Sequence, residues 1–549
     1  MFNLPDGTTF LLLGASLHVL ALRKGEWDLA VFQILTTAAA APLALTLCQI
    51  SLHGMTFSSA LWRSCYLVGS LIVGTCLSMV VYRVGFHRLN RFPGPLLARV
   101  SNFYIAGVAF RRHKEYFELD KLHQKYGDVV RIGPSTLSIA DPQALHAVHL
   151  NPKCLKGPWY QVLAPESSVQ TDRDAAGHAA RRKVWDRGFS TKALRNYEPR
   201  VVYYTDKLVA HIDSHVEQGP DKCQQKPLDA SLWFNFYSFD VMGDLSLGES
   251  FGMLDRGEVH YAMRTLHSYM FMLGVFGHVM WAFRIIGNLP LVGAENVRFK
   301  AWVAEQVKKR IENPPDTPDV FSWIIDEYDS KPGRTEGERL NLNADGLTIT
   351  IAGSDTVAAA LSCLFMELAT RPAVAKALQE ELDAFFQENP EPDAHALSRL
   401  KYLQACIDEA LRIMPVVPSG GQRITPPEGL EISEDLFIPG DTIVQVPTYT
   451  LHRDERNFEH PNEFIPERWT SKPELSRNAS VYSPFSIGPY NCVGKQLAYM
   501  EIRSVTSNIL HRYNVGLAPG QTREAFVDGM VDGFTVACPK LELIFTPRV

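Results

Sequence analysis

The chain has 549 residues, 46% of them hydrophobic and 21% charged, with 54 Lys and Arg against 60 Asp and Glu for a formal net charge of −6. That composition excludes a disordered or low-complexity chain, and the absence of a basic excess argues against a nucleic-acid partner. Nine cysteines without any C-x-x-C pair give neither a disulfide framework nor a zinc-ribbon or thioredoxin-like site.

Apolar residues are concentrated at the start. Gly7–Leu22 carries no Asp, Glu, Lys or Arg but is short for a span at 16 residues. A cleaved signal peptide would want a basic start, and the only charge ahead of this run is Asp6. Ala30–Leu52 is free of such charges over 23 residues, a helix of about 34 Å against a bilayer core of about 30 Å. Ser64–Tyr82 is a third run, of 19 residues, with Arg63 expected at the membrane edge. Residues 1–90 are therefore expected to form a membrane anchor of two to three helices. Arg83, Arg88, Arg91, Arg99, Arg111, Arg112 and Lys114 follow it, which places the remainder on the cytosolic side. Arg23 and Lys24 share that side only if the two later runs form a hairpin. Arg91-Phe-Pro-Gly-Pro95 is a stiff break before the second unit, residues 91–549.

Beyond the break, helical and strand patterns alternate. Lys114–Tyr126 reads as an amphipathic helix and Val129–Ile139 as a strand pair turning at Gly133-Pro134. A long apolar helix is expected from about Asn343 to Thr370, others over Ala375–Phe386, Lys401–Met414 and Val493–Leu510, and short strands over Ile424–Val446. Helices outnumber strands, so the fold is mainly α with small β-sheets.

Four segments depart from ordinary helix or loop chemistry. In Phe485-Ser-Ile-Gly488-Pro-Tyr-Asn-Cys492-Val-Gly494, a Gly-Pro loop presents a cysteine just before a helix, where backbone N–H groups favour a thiolate. On these residues alone the loop is metal-ligating, nucleophilic or inert. Glu409-Ala-Leu-Arg412 places acid and base on one helix face, an arrangement usually worth under about 1 kcal/mol at a surface. Gly353-Ser-Asp355-Thr356 interrupts the long apolar helix with groups that cost stability unless they serve a purpose. His178-Ala-Ala-Arg-Arg182 is a basic helical segment, and Arg423 follows Gly420-Gly421-Gln422.

Taken together and in order, these motifs resemble the cytochrome P-450 family. The F-x-x-G-x-x-x-C-x-G loop implies a haem whose axial ligand is Cys492, with Phe485 packed beside it and Gly488 making room. The family's usual Arg two residues before the cysteine is Tyr490 here, so haem-propionate pairing must come partly from elsewhere. The E-x-x-R match, completed by Pro466-Glu-Arg468-Trp469, implies a buried structural set of Glu409, Arg412 and Arg468. The A-G-x-[DE]-T match implies that Gly353 leaves space for oxygen, that Thr356 hydrogen-bonds it, and that Asp355 delivers protons through water. Arg182, Arg423 and His178, the last standing where the family has Trp, are implied partners of the propionates.

The resemblance implies a haem-thiolate monooxygenase that uses O2 and electrons from NADPH through NADPH-cytochrome P-450 reductase. The overall look is similar to fungal enzymes of secondary-metabolite biosynthesis, on the endoplasmic reticulum with the catalytic domain facing the cytosol. The substrate is expected to be a lipophilic small molecule reached from membrane lipid. By analogy its pocket draws on Trp159–Pro165, Leu347–Ile351, Val416-Val417 and Gly533–Thr535. The alternatives are an oxygen-independent haem-thiolate isomerase or dehydratase on the same fold, or a non-enzymatic membrane haem protein.

Overall fold

The computed structural model describes residues 6–218, 226–331 and 333–548; Cys223 lies outside the described residues. Three N-terminal helices come first: α1 (Gly7–Leu17, continued by a π-helical turn to Leu22), α2 (Val31–His53) and α3 (Phe57–Val81). Their contacts rise together along α1 and α3, so these two are parallel. Gly7 lies against Tyr66, Gly14 against Leu71 and Thr75, and His18 Nδ1 is 2.8 Å from Ser78 Oγ. A Cβ on Gly14 or on Gly74 would lie 2.0 Å from a carbonyl oxygen of the opposing helix, so only glycine permits this approach. Helix α2 runs the other way, with Gln49 Nε2 donating to Ser64 Oγ. The three runs thus go up, down and up, and the Arg23 guanidinium sits over the Tyr82 ring at the same end as Arg83. This is the hairpin arrangement that the charge pattern required.

Two helices long and apolar enough to cross a membrane lie here, Asp28–His53 and Phe57–Phe86. The second begins before the expected run, so Arg63 sits in its second turn rather than ahead of it. A third segment of that length and hydropathy, Glu336–Ala369, is mostly buried in the globular part and forms its axis.

In the globular part the elements that position the site are β1 (Val129–Gly133), β2 (Thr136–Ile139), β3 (Leu155–Lys156), α4 (Ala175–Gly188), α5 (Ala230–Met242), α6 (Tyr261–Phe276), α7 (Met280–Gly287), α8 (Glu336–Ala369), α9 (Lys401–Ile413), β4 (Arg423–Ile424), β5 (Ile443–Gln445) and α10 (Lys495–Arg512). The first sheet has the order β1-β2-β5-β4-β3. Helix α8 starts two turns before the expected Asn343. Thr335 caps it: its hydroxyl accepts from Glu338 N, and the Glu338 carboxylate accepts from Thr335 N. The polar first turns project before the apolar stretch begins, which hid them from a search by apolar periodicity. Helix α8 packs along α5, with Phe365 against Phe234 at 5.0 Å between ring centres.

The N-terminal helices are tied to the globular part through their first loop. The Glu26 carboxylate accepts two hydrogen bonds from Arg173, at 2.6 and 2.7 Å, and one from Gln161 at 2.8 Å. Asp28 accepts from the backbone N–H of Trp281 in α7.

Candidate active site

Cys492 is presented by a loop with two residues at positive φ, Ser486 (57°) and Gly488 (76°). A Cβ on Gly488 would lie 2.0 Å from the His149 carbonyl oxygen. The glycine is therefore needed for close backbone approach to the segment behind the loop, and Gly488 does not line the cavity. The Cys492 N–H donates to Phe485 O at 2.9 Å, which closes the loop. Burial pushes the Cys492 thiol up, while the Gly494 backbone N–H, Arg182 and the Lys495 backbone N–H pull it back toward the thiolate.

The cysteine opens into a cavity of about 360 Å³. Phe485, Gly353, Thr356, His178, Arg182 and Arg423 line the same cavity, so six of the expected site residues converge with Cys492. Its other walls are mostly apolar, from Trp159, Leu163, Leu273, Ile351, Val416 and Phe534. All four expected pocket segments contribute, although Gln161, Ala164, Pro165, Thr350 and Gly533 within them do not line it.

Thr356 donates to Ala352 O at 2.6 Å, one turn back along α8. Gly353 faces Met242 of α5; a Cβ there would lie 2.5 Å from its sulfur, an atom of a flexible side chain. Asp355 is turned away from the cavity, and its Oδ1 lies 3.0 Å from His267 Nε2 on α6. Burial lowers the His267 pKa, but the hydrogen bond to Asp355 and its charge outweigh that, and the net shift is upward. Nothing in the local sequence marked His267, because the pairing is made between two helices 88 residues apart.

Behind the cysteine loop, Glu409 carries a fully buried network. Its carboxylate accepts from Arg412 Nε and Nη2 (both 2.8 Å), Arg468 Nε (2.9 Å), Trp469 Nε1 (3.0 Å) and Ile465 N (2.9 Å). The remaining guanidinium donors of Arg412 reach the carbonyls of His452, Pro461 and Glu463, and those of Arg468 reach Glu459, Leu475 and His460.

A family model described as cytochrome P-450 matches residues 95–545. The chain belongs to the cytochrome P-450 family. It is 49% identical, over all of its length and 98% of the relative's, to the cytochrome P-450 monooxygenase FCK2 of Fusarium pseudograminearum. It is 41% identical to the cytochrome P-450 monooxygenase orf5 of Eupenicillium brefeldianum, over 87% of this chain and 95% of the other. It is also 32% identical to the tryprostatin B 6-hydroxylase of Aspergillus fumigatus, over 98% and 95%. The chain is thus an oxygen-incorporating oxidoreductase that uses haem with a cysteine ligand, a small-molecule substrate and a redox partner. Neither alternative reading finds support among these relatives.

The residues present fit haem. A soft thiol stands in an apolar cavity, and cationic side chains gather beside it around Tyr490. The Arg423 Nε, on a residue only 3% exposed, has no hydrogen-bond partner among the described residues, which is costly unless an anion meets it. His178 is buried against Tyr490, its ring centre 4.6 Å away. Burial, reinforced by Lys156, Arg182 and Arg423, holds its pKa down at about 4, so it is neutral there.

Proposed function

We propose that the protein hydroxylates or otherwise oxidises a lipophilic small molecule in fungal secondary-metabolite biosynthesis. In this reading it works on the endoplasmic reticulum with residues 91–549 on the cytosolic face, and takes electrons from NADPH through NADPH-cytochrome P-450 reductase. The observation that carries the reading is one apolar cavity that gathers Cys492, Thr356 and the propionate-side cations. The relatives include one named for hydroxylating tryprostatin B, which supports oxidation of a small molecule, and the apolar cavity walls support a lipophilic one.

Haem held at Cys492 supplies oxygen activation and the oxidising power. The chain's own residues do the rest. Arg182 and Arg423 orient the haem edge through charge-assisted bonds, and neutral His178 adds a donor. The apolar walls exclude water and select for lipophilic substrates. The Thr356 hydroxyl holds a proton on the cavity side of α8. Asp355, held by the partly exposed His267 outside the cavity, stands one residue away and would feed protons to that hydroxyl through water. Glu409, Arg412 and Arg468 fix the chain behind the cysteine loop. Residues 1–90 hold the enzyme on the membrane, where lipophilic substrate is concentrated.

The test compares metabolites of the producing strain with and without the gene by mass spectrometry. A lost product one oxygen heavier, or two hydrogens lighter, than the compound that accumulates supports oxidation. A lost product isomeric with the accumulated compound refutes it. In the purified enzyme Thr356→Ala should keep consuming NADPH while releasing peroxide in place of product.

A further inference from the structure

Lys156 was not singled out by any motif, yet it is one of the most constrained cations in the chain. It is 3% exposed and lines the cavity. Among the described residues its Nζ donates to one acceptor, the Val169 carbonyl, at 2.9 Å. In the sheet it stands directly opposite Arg423, the register of β3 on β4 being Leu155↔Ile424 and Lys156↔Arg423. Like charges directly opposite each other weaken a strand pair, and burial makes that repulsion worse. Nearby Asp172 offsets this repulsion only in part, and its carboxylate is shared with Arg181 at 3.5 Å.

Both cations also face the same ring. Lys156 Nζ is 4.9 Å and Arg423 Cζ 4.9 Å from the centre of Tyr490, the residue that stands where the family usually has Arg. Ring contacts of this kind partly stabilise a cation but neutralise none of its charge. The unpartnered Arg423 Nε lies in this same cluster. Two buried, opposed cations with an unused donor between them make sense if they share an anion.

We propose that Lys156 is a haem-propionate partner that takes over the charge lost with Tyr490, so that Lys156 and Arg423 together clamp the carboxylates across β3 and β4. This rests on the haem-thiolate reading above. In the protein alone, burial first and then Arg423, Arg181 and Arg182 press the Lys156 pKa down to about 7, with Asp172 opposing. A carboxylate between the two cations restores the ammonium form and removes the repulsion, so haem retention and the lysine's charge are linked.

The test uses the full-length holoenzyme, with Lys156→Met, Lys156→Arg and the double variant Lys156→Met/Tyr490→Arg. Three quantities are read: the reduced carbon-monoxide spectrum, the rate of haem transfer to excess apomyoglobin, and the reduction potential. Loss of one charge-assisted pair should speed haem loss about tenfold in Lys156→Met, and loss of a cation should lower its potential. Lys156→Arg should stay near wild type on both. Tyr490→Arg in the Met background should return haem loss toward wild type, because it restores the family's cation by a different route. If Lys156→Met keeps the wild-type haem-loss rate and potential, the proposal is overturned while the thiolate reading stands. If its faster haem loss is not rescued by Tyr490→Arg, the lysine is a strand residue only and the proposal is again overturned. A wild-type enzyme without a thiolate spectrum would instead overturn the haem reading itself.

Discussion

Replacing Glu409 by glutamine tests the buried network behind the cysteine loop without changing its volume. The carboxylate accepts five hydrogen bonds, four of them from side chains, and is the counterion of Arg412 and Arg468, all three side chains being fully buried. Glutamine keeps one acceptor oxygen and turns the other position into a donor that faces donors. Two guanidinium groups are then left buried with no negative partner. Breaking a buried ionic set in this way costs about 3–5 kcal/mol. Globular proteins gain about 2.1 cal/mol/K per residue on melting, so over a domain of about 450 residues each kcal/mol shifts the midpoint by about 1 °C. Glu409→Gln should therefore melt about 3–5 °C below wild type at equal haem loading. Haem yield on expression should fall as well, because His452, whose carbonyl accepts from Arg412, also accepts from the Ser483 N–H at the entry to the cysteine loop. The assay is thermal unfolding followed by circular dichroism, with the reduced carbon-monoxide spectrum recorded on the same samples. Arg298→Ala, which breaks an exposed pair with Glu295, is the control and should shift nothing measurable. A Glu409→Gln protein that melts within 1 °C of that control and loads haem normally would refute the reasoning.

Two more predictions follow from the geometry. Gly488→Ala places a methyl group against the His149 carbonyl at a backbone angle that favours glycine, so the loop must move; its reduced carbon-monoxide spectrum should lose most of the thiolate signal, and an unchanged spectrum would contradict the close approach. Asp532 is buried among Glu115, Ser419 and the backbone of Tyr116 and Phe534, and burial together with the Glu115 charge pushes it up to about 7. A folded pKa above the unfolded value of 3.8 means that stability falls as pH rises through that window, by up to about 1.4 kcal/mol per pH unit, and is fully regained below it. Asp532→Asn should flatten the fall in melting temperature between about pH 4 and pH 7, and parallel profiles for the two proteins would refute the assignment.

The parts of this molecule that were legible in its sequence are those whose cause is local. Ala30–Leu52 reads as a span because no charge interrupts it, and the cysteine loop can be matched to the family's haem loop because Phe485, Gly488 and Cys492 sit within a few residues of one another. The start of α8 was readable too, in the Thr335–Glu338 capping pair, but a search for apolar periodicity passes over polar turns. What stayed hidden is set by tertiary register. Lys156 is an ordinary lysine until β3 pairs with β4 and puts it opposite Arg423. His267 acquires a role only because α6 crosses α8 at Asp355. A close backbone approach at Gly488 was readable, but its partner was not, since the atom that forbids a side chain there belongs to His149.

The contacts of the first loop bear on how the enzyme can be prepared. It is natural to discard residues 1–90 in order to obtain a water-soluble protein. That cut would remove Glu26 from Arg173 and Gln161, and Asp28 from the Trp281 N–H at the start of α7. Gln161 and Arg173 flank the stretch that supplies Leu163, Val169 and Thr171 to the cavity wall, and α7 lies beside the Trp159 cluster. A shortened enzyme would keep its haem loop intact while its substrate wall lost three fastenings, so affinities measured on it would describe a looser pocket than the full-length protein has.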